Sequence, residues 1–146
     1  MSGGLATEFS SAQESPGFLL WRVTNRWQAA QRAALKPFGL THVQFVLLAS
    51  LAYLDTGRPV TQKQLADHAG TDVMMTSQVV RVLEGHHLVT RAAHPQDRRA
   101  RALTVTDPGR ALADRAVAAV EACDRAFFAT LGDDAAGFAA LLRRLV

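Results

Sequence analysis

The sequence predicts a mainly α-helical fold with one small β-hairpin, contained in a single domain over residues 17–146. Three observations carry that expectation. Apolar residues recur at helical spacing along most of the chain. Two short β-capable segments, Leu88–Ala92 and Arg101–Val105, stand among the helices, separated by a loop containing Pro95. At 146 residues, with 49% hydrophobic and 20% charged residues, the chain has enough apolar material for a real core, and it contains no internal repeat.

The elements follow in order. Residues 1–16 are small and polar and are expected to be a disordered tail. A helix follows in which Leu19, Val23, Trp27, Ala30 and Ala34 form one apolar stripe, with Arg22, Arg26 and Arg32 off it. Leu20 and Trp21 widen the stripe beyond the needs of a single packing partner. Pro37 and Gly39 end this helix near Lys36. Thr41-His42-Val43-Gln44 has the spacing of a capping box and opens a second helix, apolar nearly all round and therefore expected at the centre. After a loop at Asp55–Pro59, Thr61-Gln62-Lys63-Gln64 repeats that spacing and opens a short third helix, which Gly70 ends in a tight turn. The fourth helix begins at Thr71 or Asp72, with Val73, Thr76, Val80 and Leu83 as its core-facing edge. Beyond the hairpin, Thr106-Asp107-Pro108-Gly109 starts a fifth helix, with Leu112, Ala116, Ala119, Cys123 and Phe127 along one face. Gly132-Asp133-Asp134 breaks it and caps a last helix edged by Phe138, Leu141, Leu142 and Leu145.

A helix, a tight turn, a second helix with a polar outer face and then an arginine-rich hairpin make a unit suited to duplex DNA. The formal net charge is only +3, so its distribution matters more than its size. Arg91, Arg98, Arg99 and Arg101 against Asp97 place a local +3 on the hairpin, matching the excess of the whole chain. The plain alternative is a solvated surface loop.

Other classes find less support. No apolar run approaches the roughly 18 to 20 residues of a membrane span, and the N-terminus has neither the basic start nor the apolar region of an export signal. A single cysteine, Cys123, excludes an internal disulfide and fits a reducing compartment, so a cytoplasmic protein is expected. No catalytic triad, paired carboxylates, phosphate-cradling loop or metal-ligand spacing stands out, and neither an enzyme nor a cofactor is expected. His86 and His87 are adjacent and diverge in a helix, while His42, His68 and His94 are dispersed, which argues against a metal site.

With these motifs in place, the chain from about Pro16 to Val146 resembles the MarR family of winged helix-turn-helix regulators. Three matches carry the resemblance: Leu40-Thr41-x-x-Gln44-Phe45 in the second helix, Gln64-Leu65-Ala66 through Val80-x-x-Leu83-Glu84 in the helix-turn-helix, and Asp97-Arg98-Arg99 followed by Leu103-x-Val105-Thr106-x-x-Gly109 in the wing. The family usually has glycine just before the Leu-Val that enters the wing. Here that position is His87, so either Gly85 ends the helix two residues early or His87 takes a positive φ.

The resemblance implies a homodimer held by residues 17–36 and 107–146 around a winged helix-turn-helix at 41–105, reading a pseudo-palindromic operator in double-stranded DNA. The wide apolar stripe of the first helix and the edge at Phe138–Leu145 support such pairing, although within one chain they could also pack on each other. In the fourth helix Gln78 suits adenine, Arg81 guanine, Ser77 a phosphate or base edge, and Met74 or Met75 a thymine methyl or the core. Asp72 lies among these candidates but also suits the helix N-terminus, and Gln62 and Lys63 suit backbone contacts. Arg98 or Arg99 is expected in the minor groove, with Asp97 orienting the other by an ion pair.

Family members often carry a ligand between the dimer helices and the reading domain. Trp21, Trp27, His42 and Phe45 come from the helices that would wall such a site, where they suit an aromatic ligand or are ordinary core. Peroxide-sensing relatives use a cysteine in the first helix; this chain has none there, and Cys123 sits on an apolar face where a thiol resists ionisation. The expected function is a dimeric repressor released by a small ligand. The rival is a winged-helix module that binds protein, which would be expected to lack the wing arginines.

Overall fold

In the computed structural model, which describes residues 4–146, the chain runs α1 (Pro16–Leu35), α2 (His42–Leu54), β1 (Val60–Thr61), α3 (Gln62–Ala69), α4 (Val73–Gly85), β2 (Val89–Ala93), β3 (Arg101–Val105), α5 (Asp107–Phe127) and α6 (Ala135–Arg143). The mainly helical architecture and the hairpin are as the sequence predicts. The sheet has a third strand that it does not predict. β1 pairs antiparallel with β3 (Val60 opposite Leu103, Thr61 opposite Ala102), giving the order β1-β3-β2. Two residues are too few for any periodicity to register, and only the pairing makes them a strand.

α2 is the central element. Leu47, Leu48 and Leu51 are fully buried, enclosed by Leu65 of α3, Val80 and Leu83 of α4, Leu103 of β3 and Ala116 of α5. Both capping boxes form. Thr41 Oγ1 accepts from Gln44 N (3.2 Å) while Gln44 Oε1 accepts from Thr41 N (3.0 Å), and Thr61 with Gln64 repeats this at 3.1 and 2.9 Å. At the far end of α2, Asp55 Oδ2 accepts from Val105 N at 3.1 Å and so ties the helix to β3.

Several expectations need correction. Of the tail, residues 1–3 lie outside the described residues, but Ala12–Glu14 forms a 3-10 turn and Ser15 caps α1, its Oγ accepting from Phe18 N at 3.2 Å. A serine before Pro16 is an N-cap followed by a favoured first helical residue, so order begins before residue 16. In α1 the buried residues are Gln31 and Leu35, while Leu19 and Val23 of the predicted stripe remain exposed. In α5 the buried edge is Gly109, Ala113, Ala116 and Val120, rotated from the predicted face, on which only Ala116 is fully buried. Small residues there let α5 approach closely. α6 buries nothing fully and Asp134 makes no side-chain cap, although non-helical backbone at Gly132 does separate the two last helices.

The departure at His87 resolves in one direction. Gly85 stays helical and His87 takes the left-handed conformation, at φ 61°. His87 N donates to Glu84 O (2.9 Å) and Leu88 N to Leu83 O (3.0 Å), which is a Schellman ending normally built on glycine. The same turn meets the start of α5. Thr106 N donates to Leu88 O (3.0 Å), Thr106 Oγ1 donates to His87 O (2.7 Å) and Gly109 N donates to Thr106 Oγ1 (3.0 Å). Gly109 packs so closely here that a Cβ would lie 2.1 Å from Leu88 O.

Two predictions follow from this turn. His87→Gly removes the left-handed penalty of a side chain and is expected to stabilise the fold by about 1 kcal/mol, raising the thermal midpoint by about 3 °C. A lower midpoint would mean that the imidazole itself holds the turn. Gly109→Ala forces backbone against backbone and is expected to destabilise by about 3 kcal/mol in urea unfolding, whereas Ala113→Gly, with no such collision, costs about 1 kcal/mol.

Candidate nucleic-acid interface

The start of α4 is built by side-chain to backbone bonds. Asp72 Oδ1 accepts from Met75 N at 2.8 Å, and Thr76 Oγ1 donates to Asp72 O at 2.8 Å while meeting Thr71 Oγ1 at 2.6 Å. Asp72 is therefore the N-cap of α4, its exposed carboxylate holding the start of the helix through the Met75 amide. Thr76, Val80 and Leu83 form the buried edge. Val73, expected on that edge, is exposed, because it lies in the first turn beyond the reach of α2 and α3. Both methionines are exposed as well, which removes the core-filling reading of Met74 and Met75.

Opposite the buried edge, Met74, Gln78 and Arg81 stand at i, i+4 and i+7 and are all exposed. Ser77, half-buried, flanks them. The outward face of α4 thus offers an apolar side chain, an amide and a guanidinium in line.

The wing carries the arginines. Residues 94–100 link β2 to β3, whose ladder runs from Val89 opposite Val105 to Ala93 opposite Arg101. His94 Nδ1 accepts from both Gln96 N and Asp97 N (3.1 Å each), and Asp97 Oδ1 accepts from Arg99 N at 3.0 Å. Asp97 therefore shapes the turn through the backbone amide of Arg99, and the expected ion pair with a wing arginine is not formed. Among the described residues two ion pairs occur, Lys63–Asp67 (2.8 Å) and Arg91–Glu84 (3.2 Å). The second joins β2 to α4. Arg81, Arg98, Arg99 and Arg101 remain unpaired.

A groove of about 360 Å³ separates the wing from the start of α3, with Gln62, Lys63, Arg99 and Arg101 on its walls. The hydrogen bond from Lys63 to the Asp67 carboxylate, together with that carboxylate's charge, pushes the Lys63 ammonium above its ordinary pKa, so it stays charged. The pair is fully exposed and exchanges readily for another anion. Arg101 joins the groove although the sequence only counts it in the basic patch.

The candidate ligand residues divide. Trp27 and His42 meet edge to face, with ring centroids 5.0 Å apart. Phe45 is buried in the core, and Trp21 is 67% exposed on α1, apart from them. Asp124 of α5 completes the cluster, its Oδ1 accepting from Trp27 Nε1 (2.8 Å) and Gln31 Nε2 (2.7 Å). Gln31 is fully buried, and its Oε1 has no partner. Burial lowers the pKa of His42; the Asp124 carboxylate opposes the shift and Arg32 adds to it, so the imidazole is neutral at pH 7. Beside it opens a cleft of about 250 Å³ lined by Gln28, Arg32, His42, Val43, Val46 and Thr71. Asp124 escapes a sequence reading because it lies 97 residues from Trp27. Among the described residues no three His, Cys, Asp or Glu side chains converge as a metal site, and no single helix is long and apolar enough to cross a membrane.

Comparison with known proteins places this geometry. The family model for MarR matches residues 40–100, from the start of α2 to the wing loop. The chain is 47% identical over 124 residues to the uncharacterised HTH-type transcriptional regulator YdcH of Bacillus subtilis (strain 168), covering 84% of each chain. It is 37% identical over 121 residues to the HTH-type transcriptional repressor Rv2887 of Mycobacterium tuberculosis, covering 82% of this chain and 85% of that one. Solved structures of Rv2887 superpose in complex with DNA (TM-score 0.70, 32% identity, 90% of this chain and 97% of that one) and with salicylic acid (TM-score 0.69, 35% identity, 93% and 100%). CouR from Rhodococcus jostii RHA1 bound to p-coumaroyl-CoA superposes with a TM-score of 0.79 at 31% identity, over 94% of this chain and 92% of that one. Sequence identity of this level across more than four-fifths of the chain, with the helix-turn-helix and wing in place, means that the chain belongs to the MarR family of transcriptional regulators.

Proposed function

We propose that this regulator is a cytoplasmic homodimeric repressor that grips an operator with α4 and the wing and lets go when a small aromatic acid binds beside His42. The observation that carries the reading is the exposed Met74–Gln78–Arg81 face of α4, set opposite its buried edge, together with wing arginines that form no ion pair. Within it, Gln78 and Arg81 read base edges in the major groove, and Arg98 or Arg99 enters the minor groove. Ser77, Gln62, Lys63 and Arg101 hold phosphates. A catalytic role has no candidate among these groups.

Dimerisation is supported by apolar surface that one chain leaves open. Phe18, Leu20 and Trp21 of α1 and Leu141 and Leu145 in the C-terminal segment are exposed. Between α1 and α6 lies a hollow of about 550 Å³ lined by Val23, Phe127, Phe128, Leu131 and Phe138. A monomer in water would carry that surface at a steep cost. α1, the C-terminal half of α5 and α6 are therefore the dimer region, while the N-terminal half of α5 belongs to the core of the reading domain. That arrangement sets two α4 helices at a spacing suited to half-sites about 34 Å apart.

The effector reading rests on the Trp27–His42 pair, the neighbouring Arg32 and the unpartnered Gln31 carbonyl. A neutral imidazole and a guanidinium suit a carboxylate attached to an aromatic ring. The salicylic acid complex of Rv2887 is in keeping with that chemistry.

Three measurements test the proposal. Binding to duplex DNA selected from a random pool should fall by orders of magnitude between 50 and 200 mM salt. Arg99→Ala should weaken selected and random duplexes alike, by about tenfold, whereas Gln78→Ala should lose about tenfold at one base pair and leave random duplex unchanged. Absence of any duplex binding would favour the protein-interaction module. In a Trp21→Phe background, salicylate should quench Trp27 and lower DNA affinity, and Arg32→Ala should abolish both effects; quenching that persists in Arg32→Ala would place the acid elsewhere.

A further inference from the structure

The wing is a ribbon held to the body along two edges, and its β3 edge is short of backbone partners. On the other edge, β2 is tied to α4 by the Arg91–Glu84 ion pair (3.2 Å). On the β3 edge, β1 supplies two residues, Val60 opposite Leu103 and Thr61 opposite Ala102. Continuing that register would put Arg58 opposite Val105, but the chain from Asp55 to Pro59 is a loop and the ladder stops. Successive amides of a strand point to alternate sides. Thr106 N turns to Leu88 O on the β2 side, so Val105 N turns to the side where β1 has ended. Val105 is buried, and an amide left there without an acceptor would be costly.

Asp55 fills the gap. Its Oδ2 accepts from Val105 N at 3.1 Å, across 50 residues of chain. Asp55 is half-buried and, among the described residues, has no ion-pair partner, so the amide is the group its carboxylate serves. Asp55 is itself held from α5. Arg110 Nη2 donates to Asp55 O and Nη1 to Ala52 O, both at 3.4 Å, meeting carbonyls that the end of α2 leaves open. The base of the wing, the end of α2 and the first turn of α5 are thus fastened at one residue.

On the reading of the wing as a DNA grip, we propose that Asp55 is a positioning residue for that grip: its hydrogen bond to Val105 N fixes the base of the wing and thereby the reach of Arg98 and Arg99 into the groove. The lever is long. A strand rises about 3.4 Å per residue, which puts the wing tip about 15 Å from Val105. A tilt of about 10° at the base then moves the tip by about 3 Å, half the width of a minor groove of about 6 Å. Asp55 lies at the foot of the wing and acts through the strand, not by touching DNA.

The test uses the full-length protein and duplexes selected from a random pool. Asp55→Ala is expected to lose about tenfold in affinity, the loss expected for a wing arginine itself. Asp55→Asn keeps an oxygen acceptor without the charge and is expected to stay within about twofold of the parent protein. Hydroxyl-radical cleavage of the bound duplex should show minor-groove protection lost in Asp55→Ala and kept in Asp55→Asn, while both retain major-groove protection by α4. In a background of Arg98→Ala with Arg99→Ala, Asp55→Ala should cost nothing further, because the wing then has no grip to misplace; a merely structural role would add its full loss there. If Asp55→Ala does not fold, Arg110→Ala, which releases the Asp55 carbonyl, carries the same comparisons with an expected loss of about threefold. Unchanged binding by Asp55→Ala, an Asp55→Asn loss as large as that of Asp55→Ala, or full additivity with the arginine changes would each overturn the inference while leaving DNA binding intact. Arginine changes that leave binding unchanged would instead remove the wing as a grip, and this role of Asp55 with it.

Discussion

The reading unit depends on one crowded junction, where the backbone of His87 and Leu88 meets Thr106 and Gly109. The Leu88 carbonyl accepts from Thr106 N and lies against Gly109, and the Thr106 hydroxyl both caps α5 and donates to the His87 carbonyl. Three elements with different tasks leave from this point: the reading helix, the wing and the long helix that continues into the dimer region. A left-handed residue at His87 turns the chain out of α4 in the direction that lets β2 pair with β3. The missing Cβ at Gly109 lets α5 come near enough to hold that turn. Because α5 then runs on to Phe127, the orientation of α4 and the wing is coupled to the far end of α5 and to α1, which packs on it.

A second regularity concerns acidic side chains. Around the helix-turn-helix and the hairpin, several carboxylates serve local structure. Asp72 caps α4, Asp97 closes the wing turn, Asp55 holds β3 and Glu84 anchors Arg91. Each stabilises the fold by accepting a hydrogen bond. Among the described residues Arg91 alone of the arginines is ion-paired, so the basic hairpin owes its charge to the arginines placed in it.

The Asp124 hub does for the upper half what the Leu88 junction does for the lower. Two donors from α1 converge on one carboxylate oxygen of α5, and His42 at the start of α2 meets the same tryptophan edge to face. α1 and α5 are thereby joined to α2, the centre of the core. On the proposed reading, a ligand that rearranges the Trp27–His42 contact changes how α1 and α5 meet that core.

By itself, the sequence determined the helices, their caps, the turn at Gly70, the basic hairpin and the resemblance, because each is encoded in residues within a turn or two of one another. Thr41 with Gln44 and Thr61 with Gln64 are local rules, and they hold in the structure. It also identified His87 as the unusual position, although local reasoning left open which residue would take positive φ. Tertiary structure decided the rest: the two-residue strand at Val60–Thr61, the outward turn of Val73, the rotated buried edge of α5, and the union of Trp27 and Gln31 at Asp124 with His42 against the tryptophan. Each of these turns on a partner far along the chain or on how closely two backbones approach. Helical spacing says which residues share a face, but only packing says which of two apolar faces is covered and which is left for DNA or a second copy.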